Sequence, residues 1–314
     1  MIAFGPVPSR RLGRSLGVNN IPPKICTYSC VYCQLGRTLT MQVDRQAYYD
    51  PQRILDEVRE KTDRATGKGE AIDYLTLVPD GEPTLDLNLG REIEQLKGLG
   101  INVAVISNAS LVSDEDVRQE LAQADWVSLK VDAASQEMWR RVNRPHGKLK
   151  LDAIQEGMLA FAEQYRGILA TETMLVDGLN DTEASVTEVA EFLGRLKPDL
   201  AYLAVPTRPP AEPWALPPDE GAINRAYQII SDQVGRAEYL IGYEGNEFAS
   251  TGDVEDDLLS ITSVHPMRED AVRDFLSRAD GDWAVVRRLV AENKLVEVDH
   301  GGHRFYLRKL SRNH

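Results

Sequence analysis

The chain has 314 residues, 42% of them hydrophobic and 27% charged, with 36 basic against 49 acidic side chains and a net charge of −13. That profile fits one large globular domain with a small appendix, and its apolar windows break off within about ten residues, too short to cross a bilayer. The acidic total argues against broad binding to nucleic acid or anionic membranes. The opening Met1-Ile2-Ala3-Phe4-Gly5-Pro6 shows no basic segment followed by an apolar one, so a cytoplasmic location is expected.

Short β-branched or aromatic runs predict strands at 16–19, 74–78, 103–107, 126–132, 168–176, 200–205 and 239–242. Amphipathic stretches between them predict helices at 50–66, 87–99, 114–124, 149–165, 182–196 and 219–234. Ser113 is the expected N-cap of the third helix, with Asp116 at N3, and Gly100 stands where a helix C′ residue belongs. Alternating strands and helices with apolar strands predict an α/β fold with a parallel sheet, and six or seven units in about 240 residues suit a partial (β/α)6-type barrel.

The proline-rich run from Arg208 to Pro218 cannot be helix or central strand and should be a stiff loop at a strand's C-terminal end. The acidic run Asp253–Asp257 is expected to separate residues 1–252 from a C-terminal domain, 253–314. Residues 263–314 carry 10 basic and 8 acidic side chains, net +2, whereas residues 1–262 carry 26 and 41, net −15. Helices at 269–278 and 282–293, then two strands around His300-Gly301-Gly302-His303, predict a winged-helix-like α+β unit.

All three cysteines, Cys26, Cys30 and Cys33, fall within eight residues as C-x3-C-x2-C. Thiols this close in one loop rarely reach unstrained disulfide geometry, so a shared metal site is the natural reading. A zinc site completed by a histidine is one alternative, although the nearest histidine in sequence is His146 and zinc loops usually pair two C-x2-C units. Three thiolates can also hold three corners of a cubane cluster, leaving the fourth iron open.

This loop and the barrel around it resemble the radical S-adenosylmethionine (SAM) superfamily over residues 1 to about 250. The resemblance implies a [4Fe–4S] cluster on Cys26, Cys30 and Cys33 that binds SAM and receives one electron from a reductant such as flavodoxin or ferredoxin. Cleavage would yield a 5′-deoxyadenosyl radical that takes hydrogen from a substrate. Asp80-Gly81-Glu82 matches the superfamily's Gly-Gly-Glu turn except at its first residue, so Gly81 and Glu82 are expected at the SAM ammonium. Ser107 and Asn108 are expected at the ribose, Tyr32 near the adenine, Arg144 at the SAM carboxylate, and Val176 and Gly178 as an adenine shelf. Alternation in the fourth strand turns Lys130 and Asp132 inward, where buried charges must be paired or functional. Glu172, Arg208 and Glu244 are substrate-side candidates for catalysis, joined by Arg10, Arg11 and Arg14 as groups able to meet phosphate or carboxylate.

The arginine-rich opening and the stretch from Val131 to His146 look most like the branch of the wyosine-type tRNA-modifying synthases. Those enzymes use a second cluster, for which this chain has no cysteines left. Three functions stay open. The first is a radical enzyme acting on a small metabolite or protein. The second acts on tRNA or another RNA docked on Arg287, Arg288, Arg304, Arg308 and Lys309. The third is a non-catalytic cluster protein that binds DNA through its tail.

Overall fold

A computed structural model describes residues 2–241, 246, 248, 250 and 252–309. The chain opens with an antiparallel hairpin, β1 (Ala3–Ser9) and β2 (Gly13–Val18), followed by a short parallel pair, β3 (Ile25–Cys26) and β4 (Thr40–Met41), that brackets the cysteine loop. Alternation then runs α1 (Pro51–Gly67), β5 (Tyr74–Leu77), α2 (Leu89–Lys97), β6 (Asn102–Ser107), α3 (Glu115–Leu121), β7 (Trp126–Lys130), α4 (Gln136–Asn143), α5 (Leu151–Gln164) and β8 (Ile168–Met174). It ends with α6 (Glu183–Leu196), β9 (Leu200–Ala204), α7 (Glu220–Ser231) and β10 (Ala237–Leu240).

The main sheet has the order β1-β2-β5-β6-β7-β8-β9-β10, and every pair from β2 onward is parallel. It curls into a half-barrel, as the strand–helix alternation predicts. Alternate residues divide its faces. Leu75, Leu77, Val103, Val105, Val127 and Leu129 pack outward against Ile54, Ile93, Leu121 and Ile154 of the helices. Ala104, Trp126, Ala170, Tyr202 and Ala204 form a smaller cluster on the other face.

Four local expectations need correction. Residues 3–9 form a strand that the sequence reading left out. Pro6 and Pro8 argue against a central strand, but β1 lies at the sheet edge and is irregular between Phe4 and Val7, which is where proline is tolerated. Helix α4 was also missed; its eight residues bury Trp139 and Val142 just before the Asn143-Arg144-Pro145 break. The cap of α3 is Asp114, which accepts from the Asp116 amide, not Ser113. Several ends also contract, and the fifth strand stops at Met174, before Val176.

The acidic run, expected to separate residues 1–252 from the C-terminal unit, opens α8 (Val254–Val264), with Asp253 capping through the Asp256 amide at 3.0 Å and Glu255, Asp256 and Asp257 in the first turn, where the helix dipole favours anions. Lys61 of α1 pairs with Asp257 at 3.6 Å, fastening this turn to the barrel. After α8 come β11 (Met267–Arg268), α9 (Glu269–Arg278), α10 (Trp283–Ala291), β12 (Leu295–His300) and β13 (His303–Arg308), whose antiparallel sheet has the order β11-β13-β12. The core of this unit includes Phe4 and Val7 of β1 beside Leu258, Ile261, Phe275 and Tyr306. The C-terminal unit and the barrel edge thus share apolar side chains.

Candidate functional site

The cysteine loop is pinned from two sides. The amides of Ser29 and Val31 donate to the carbonyls of Asn143 and Val142, at 3.1 and 3.0 Å, so the end of α4 forms one wall. Across from it, the Glu212 amide of the proline-rich loop donates to the Val31 carbonyl at 3.0 Å. The Glu212 carboxylate accepts from Arg37 and from Arg144, and these two cations hold its carboxyl below the usual range. The stiff loop expected at 208–218 is therefore present, and it serves as a strap over the cysteine loop. Arg144, expected at a SAM carboxylate, sits in a left-handed C-cap and spends its guanidinium on this strap.

Burial pushes all three thiols up, Cys30 to about 12. Two of the sulfurs accept side-chain amides: Asn108 Nδ2 donates to Cys26 Sγ and Asn143 Nδ2 to Cys30 Sγ, each at 3.5 Å. Asn143 was not singled out in the sequence. It is buried and also donates to Asp132 at 2.7 Å, tying the α4 end, the cysteine loop and the β7 end together. Among the described residues no three His, Cys, Asp or Glu side chains converge on a single point.

Behind the loop lies the turn after β5. Gly81 has a concrete steric reason: a Cβ there would lie 1.8 Å from the Ile25 carbonyl oxygen, so only glycine lets this turn close against the strand that leads into Cys26. Glu82 is fully buried. Its Oε1 accepts from the Thr84 amide and from the hydroxyls of Thr84 and Ser107, and its Oε2 accepts from the Asn108 amide at 2.7 Å. Burial still pushes this carboxyl up despite those bonds. Ala109 follows with a φ of 64°, so alanine takes the left-handed position where glycine is the usual choice. Asp80, the residue that departs from the Gly-Gly-Glu pattern, is 3% exposed, and its Oδ1 has no hydrogen-bond partner. Burial raises its carboxyl to about 7, even with Lys24 and Arg308 pulling it down.

Glu172, Lys130 and Arg208 come together with Tyr32 and Cys33 around a cavity of about 250 Å³ at the barrel mouth. Arg10 and Arg11 of the β1–β2 turn line it too, although β8, which carries Glu172, is four strands along the sheet from β2. Arg11 and Lys130 both bind the Glu172 carboxylate. Burial pushes that carboxyl up, but Lys130 and Arg11 outweigh it and hold it at about 2. Glu172 therefore stays ionised at neutral pH and serves as an acceptor, not as an acid. Lys130 also lies 4.8 Å above the Tyr32 ring, a cation–π contact.

Asp132 has a supporting place. It accepts from Tyr32 Oη, from Asn143 Nδ2 and from the Met174 amide at 2.8 Å, with Lys130 at 3.9 Å. Val176 is fully buried among Val31, Val142, Leu179 and Ala215, and Gly178 turns with a φ of 62° and open space where a Cβ would go. Glu244 lies outside the described residues. Beyond Asn143, sequence reasoning missed Arg37, Glu212, Gln34 and His265. The side-chain hydrogen bonds that tie them to Arg144, Arg208 and one another span 57 or more positions, and nothing local marks them.

Comparison with known proteins places these features in a wider set. The family profile of the radical SAM superfamily matches residues 20–193. The UPF0026 protein MJ1312 of Methanocaldococcus jannaschii is 45% identical over 98% of this chain and 96% of its own. A structure of TYW1 with a lysine-pyruvate adduct bound superposes with a TM-score of 0.55 at 15% identity, over 70% of this chain and 74% of that one. A radical SAM methyltransferase from Sphaerobacter thermophilus gives 0.51, also at 15% identity, over 72% and 66%. At such identities the two structures speak to the fold alone.

Proposed function

Because the chain belongs to the radical SAM superfamily, we propose that it is a radical enzyme whose Cys26, Cys30 and Cys33 hold a [4Fe–4S] cluster and whose barrel cavity receives SAM and a substrate. One observation carries the reading: Cys33 and Tyr32 of the three-thiol loop line the same cavity as Lys130, Glu172 and Arg208. The donor set supports the cluster. Three thiols from one loop are kept neutral by burial until a metal draws off their protons, and two already accept amide hydrogen bonds of the kind that tune cluster sulfurs. The orphaned Oδ1 of buried Asp80 is an acceptor awaiting a donor, which the ammonium of SAM supplies.

When bound and reduced by a flavodoxin- or ferredoxin-type donor, the cluster and SAM supply a 5′-deoxyadenosyl radical for hydrogen abstraction. The chain's own residues do the rest. Lys130, protonated and fixed by Glu172, is set to receive a carboxylate such as that of SAM. Asn108 and Asn143 orient the Cys26 and Cys30 sulfurs. The strap closed by Arg37, Arg144 and Glu212 covers the loop and keeps water from it.

The C-terminal unit, read as a winged-helix-like module (residues 253–314), serves better as a wall of the barrel than as an RNA dock. Arg288 pairs with Glu255, Arg304 with Asp299, and Arg308 and Lys309 bind the Leu259 carbonyl and the Asn293 side chain. The test is 5′-deoxyadenosine formation by anaerobically reconstituted protein with SAM and dithionite, against Cys30→Ala, with and without a small-RNA fraction. Product that needs Cys30 and ignores RNA is the expected result. No product from fully loaded protein refutes the reading, and stimulation by RNA replaces the substrate class.

A further inference from the structure

We propose that the outer face of the cysteine loop, bounded by Arg37, Leu39, Met41, Arg144, Lys148 and Trp214, is the docking surface for an acidic one-electron carrier protein. The proposal rests on the radical SAM reading and deepens it by naming where the electron enters.

Contacts gather three separate segments into this one face. The return of the cysteine loop crosses Tyr28 and Ser29: the Thr38 amide donates to Ser29 Oγ at 3.4 Å, and the Thr38 hydroxyl donates to the Tyr28 carbonyl. On the other side of the same two residues, the α4–α5 connection pairs Pro145 with Tyr28, and the His146 amide donates to the Thr27 carbonyl at 2.8 Å. Ion pairs close the rim. Arg37 and Arg144 share Glu212 of the strap, two residues before Trp214, and Lys148 reaches Asp44 at 3.4 Å, just past β4. Both residues of β4 are exposed, and Met41 stands opposite Cys26 in the β3–β4 register. One layer of chain therefore separates this surface from the thiols. None of its six bounding residues lines the barrel cavity, which meets the loop at residues 32–35.

Charge gives the kind of partner. In a chain of net charge −13, residues 22–42 carry two basic side chains and residues 138–150 carry five, and neither stretch has an acidic one. Arg140, Arg141 and Lys150, which extend the rim along α4 and beyond it, are exposed and make no ion pair with any described residue. Arg37 and Arg144 have one carboxylate between them, and the Arg37 side chain is still 70% exposed. The Lys148–Asp44 pair is open to water on both sides and holds little of the lysine's charge. A local positive field on an acidic protein selects a partner of opposite sign and speeds the encounter.

Apolar side chains give the kind of contact. Of the seven large ones that stand exposed among the described residues, Leu39, Met41 and Trp214 belong to this face. A small apolar centre with a charged rim suits a weak, short-lived electron-transfer encounter, because the carrier must leave after each electron. The same charge would attract RNA, but a target base has to reach the cavity, and this face lies outside it. The step moves one electron and no atom: the carrier's cofactor is oxidised by one electron and the [4Fe–4S] cluster is reduced by one.

The experiment uses the full chain reconstituted with its cluster, without SAM, and two probes, an acidic flavodoxin and an acidic ferredoxin. Binding is read by calorimetry and cluster reduction by rapid-freeze EPR, with dithionite as the reference reductant. Saturable binding of at least one carrier is expected, weakened about fivefold or more as salt rises from about 50 to 300 mM. Arg140→Glu combined with Lys148→Glu should slow carrier-driven reduction about tenfold or more, and Trp214→Ala should weaken binding about fivefold. Dithionite should reduce all variants at the wild-type rate, and Arg195→Glu, in the last turn of α6, should change nothing. Binding of neither carrier, or carrier-driven reduction that survives the double reversal, overturns the proposal. A transfer RNA that binds where neither carrier does, and is lost in the double variant, gives the face to nucleic acid and overturns it too. Failure to load a cluster refutes the radical SAM reading, while carrier binding to the same chain still decides this one.

Discussion

Replacing Glu172 by glutamine tests the ionic arrangement that ties the β1–β2 turn to β8. The carboxylate lies between Lys130 and Arg11, with side-chain exposures of 12%, 16% and 18%. Its folded value of about 2, against 4.5 for the free side chain, corresponds to roughly 3 kcal/mol of folding stability. Breaking a buried pair by removing one partner gives a similar figure, about 3–5 kcal/mol, because the other charge is left uncompensated. Asp132, 3.9 Å from Lys130, offers partial relief, so the lower end is expected. The sign follows from the depressed value: the contribution is present above pH 4.5 and is lost as pH falls toward 2. Denaturant unfolding of wild type and Glu172→Gln should therefore differ by roughly 3 kcal/mol at pH 7, and more than half of that difference should vanish by pH 3. Adding Lys130→Met to Glu172→Gln should recover much of the loss, since removing a whole buried pair is often close to neutral. A Glu172→Gln protein as stable as wild type at pH 7, or a difference that stays flat down to pH 3, would refute the assignment.

Three other outcomes follow from single contacts. Gly81→Ala sets a methyl against the Ile25 carbonyl oxygen and should destabilise by about 3 kcal/mol in thermal unfolding, whereas Gly147→Ala, with nothing within 4 Å of its Cβ, should be close to neutral. Glu92 is buried beside Asp86, and burial with that neighbour raises it to about 9. A raised carboxyl contributes stability below its unfolded value and loses it as pH climbs toward 9, so Glu92→Gln should stabilise the protein at pH 8 by about 1 kcal/mol or more and have little effect at pH 4. In cluster-loaded protein, Asn143→Ala removes the donor to Cys30 Sγ and should lower the reduction potential measured by EPR-monitored titration; an unchanged potential would show that this amide serves Asp132 and not the sulfur.

Most of the barrel is legible in the sequence because its signals are local. Strands 74–77, 102–107 and 126–130 are apolar runs of the right length, and the helices between them carry a 3.6-residue period with capping residues at their ends. The cysteine loop is legible for the same reason, since its spacing is contained in eight residues. The turn at Asp80-Gly81-Glu82 was located correctly, but the need for Gly81 could not be read there. That need arises from the Ile25 carbonyl 56 positions earlier, which only the folded chain brings against it.

What stayed hidden has one physical character: each piece depends on a partner that no local window contains. Strand β1 violates strand rules at Pro6 and Pro8 and holds because it needs hydrogen bonds on one side only, while Phe4 and Val7 find their apolar neighbours some 250 residues later in α8 and α9. The acidic run reads as the boundary between two units, and only the fold shows that its first turn meets Lys61 of α1. Arg208 reads in the sequence as a substrate-side candidate, but the residues that hold it, Gln34 and His265, lie 174 positions before it and 57 after it. The same logic separates the three opening arginines, which are alike in sequence: Arg10 and Arg11 turn into the barrel mouth and Arg14 turns away to Glu70. The opening hairpin and the C-terminal unit therefore share one core. Substitutions in the C-terminal unit at Phe275 or Tyr306 should loosen the β1–β2 hairpin that carries Arg10 and Arg11 before they disturb the cysteine loop, because the hairpin shares their core and the loop does not.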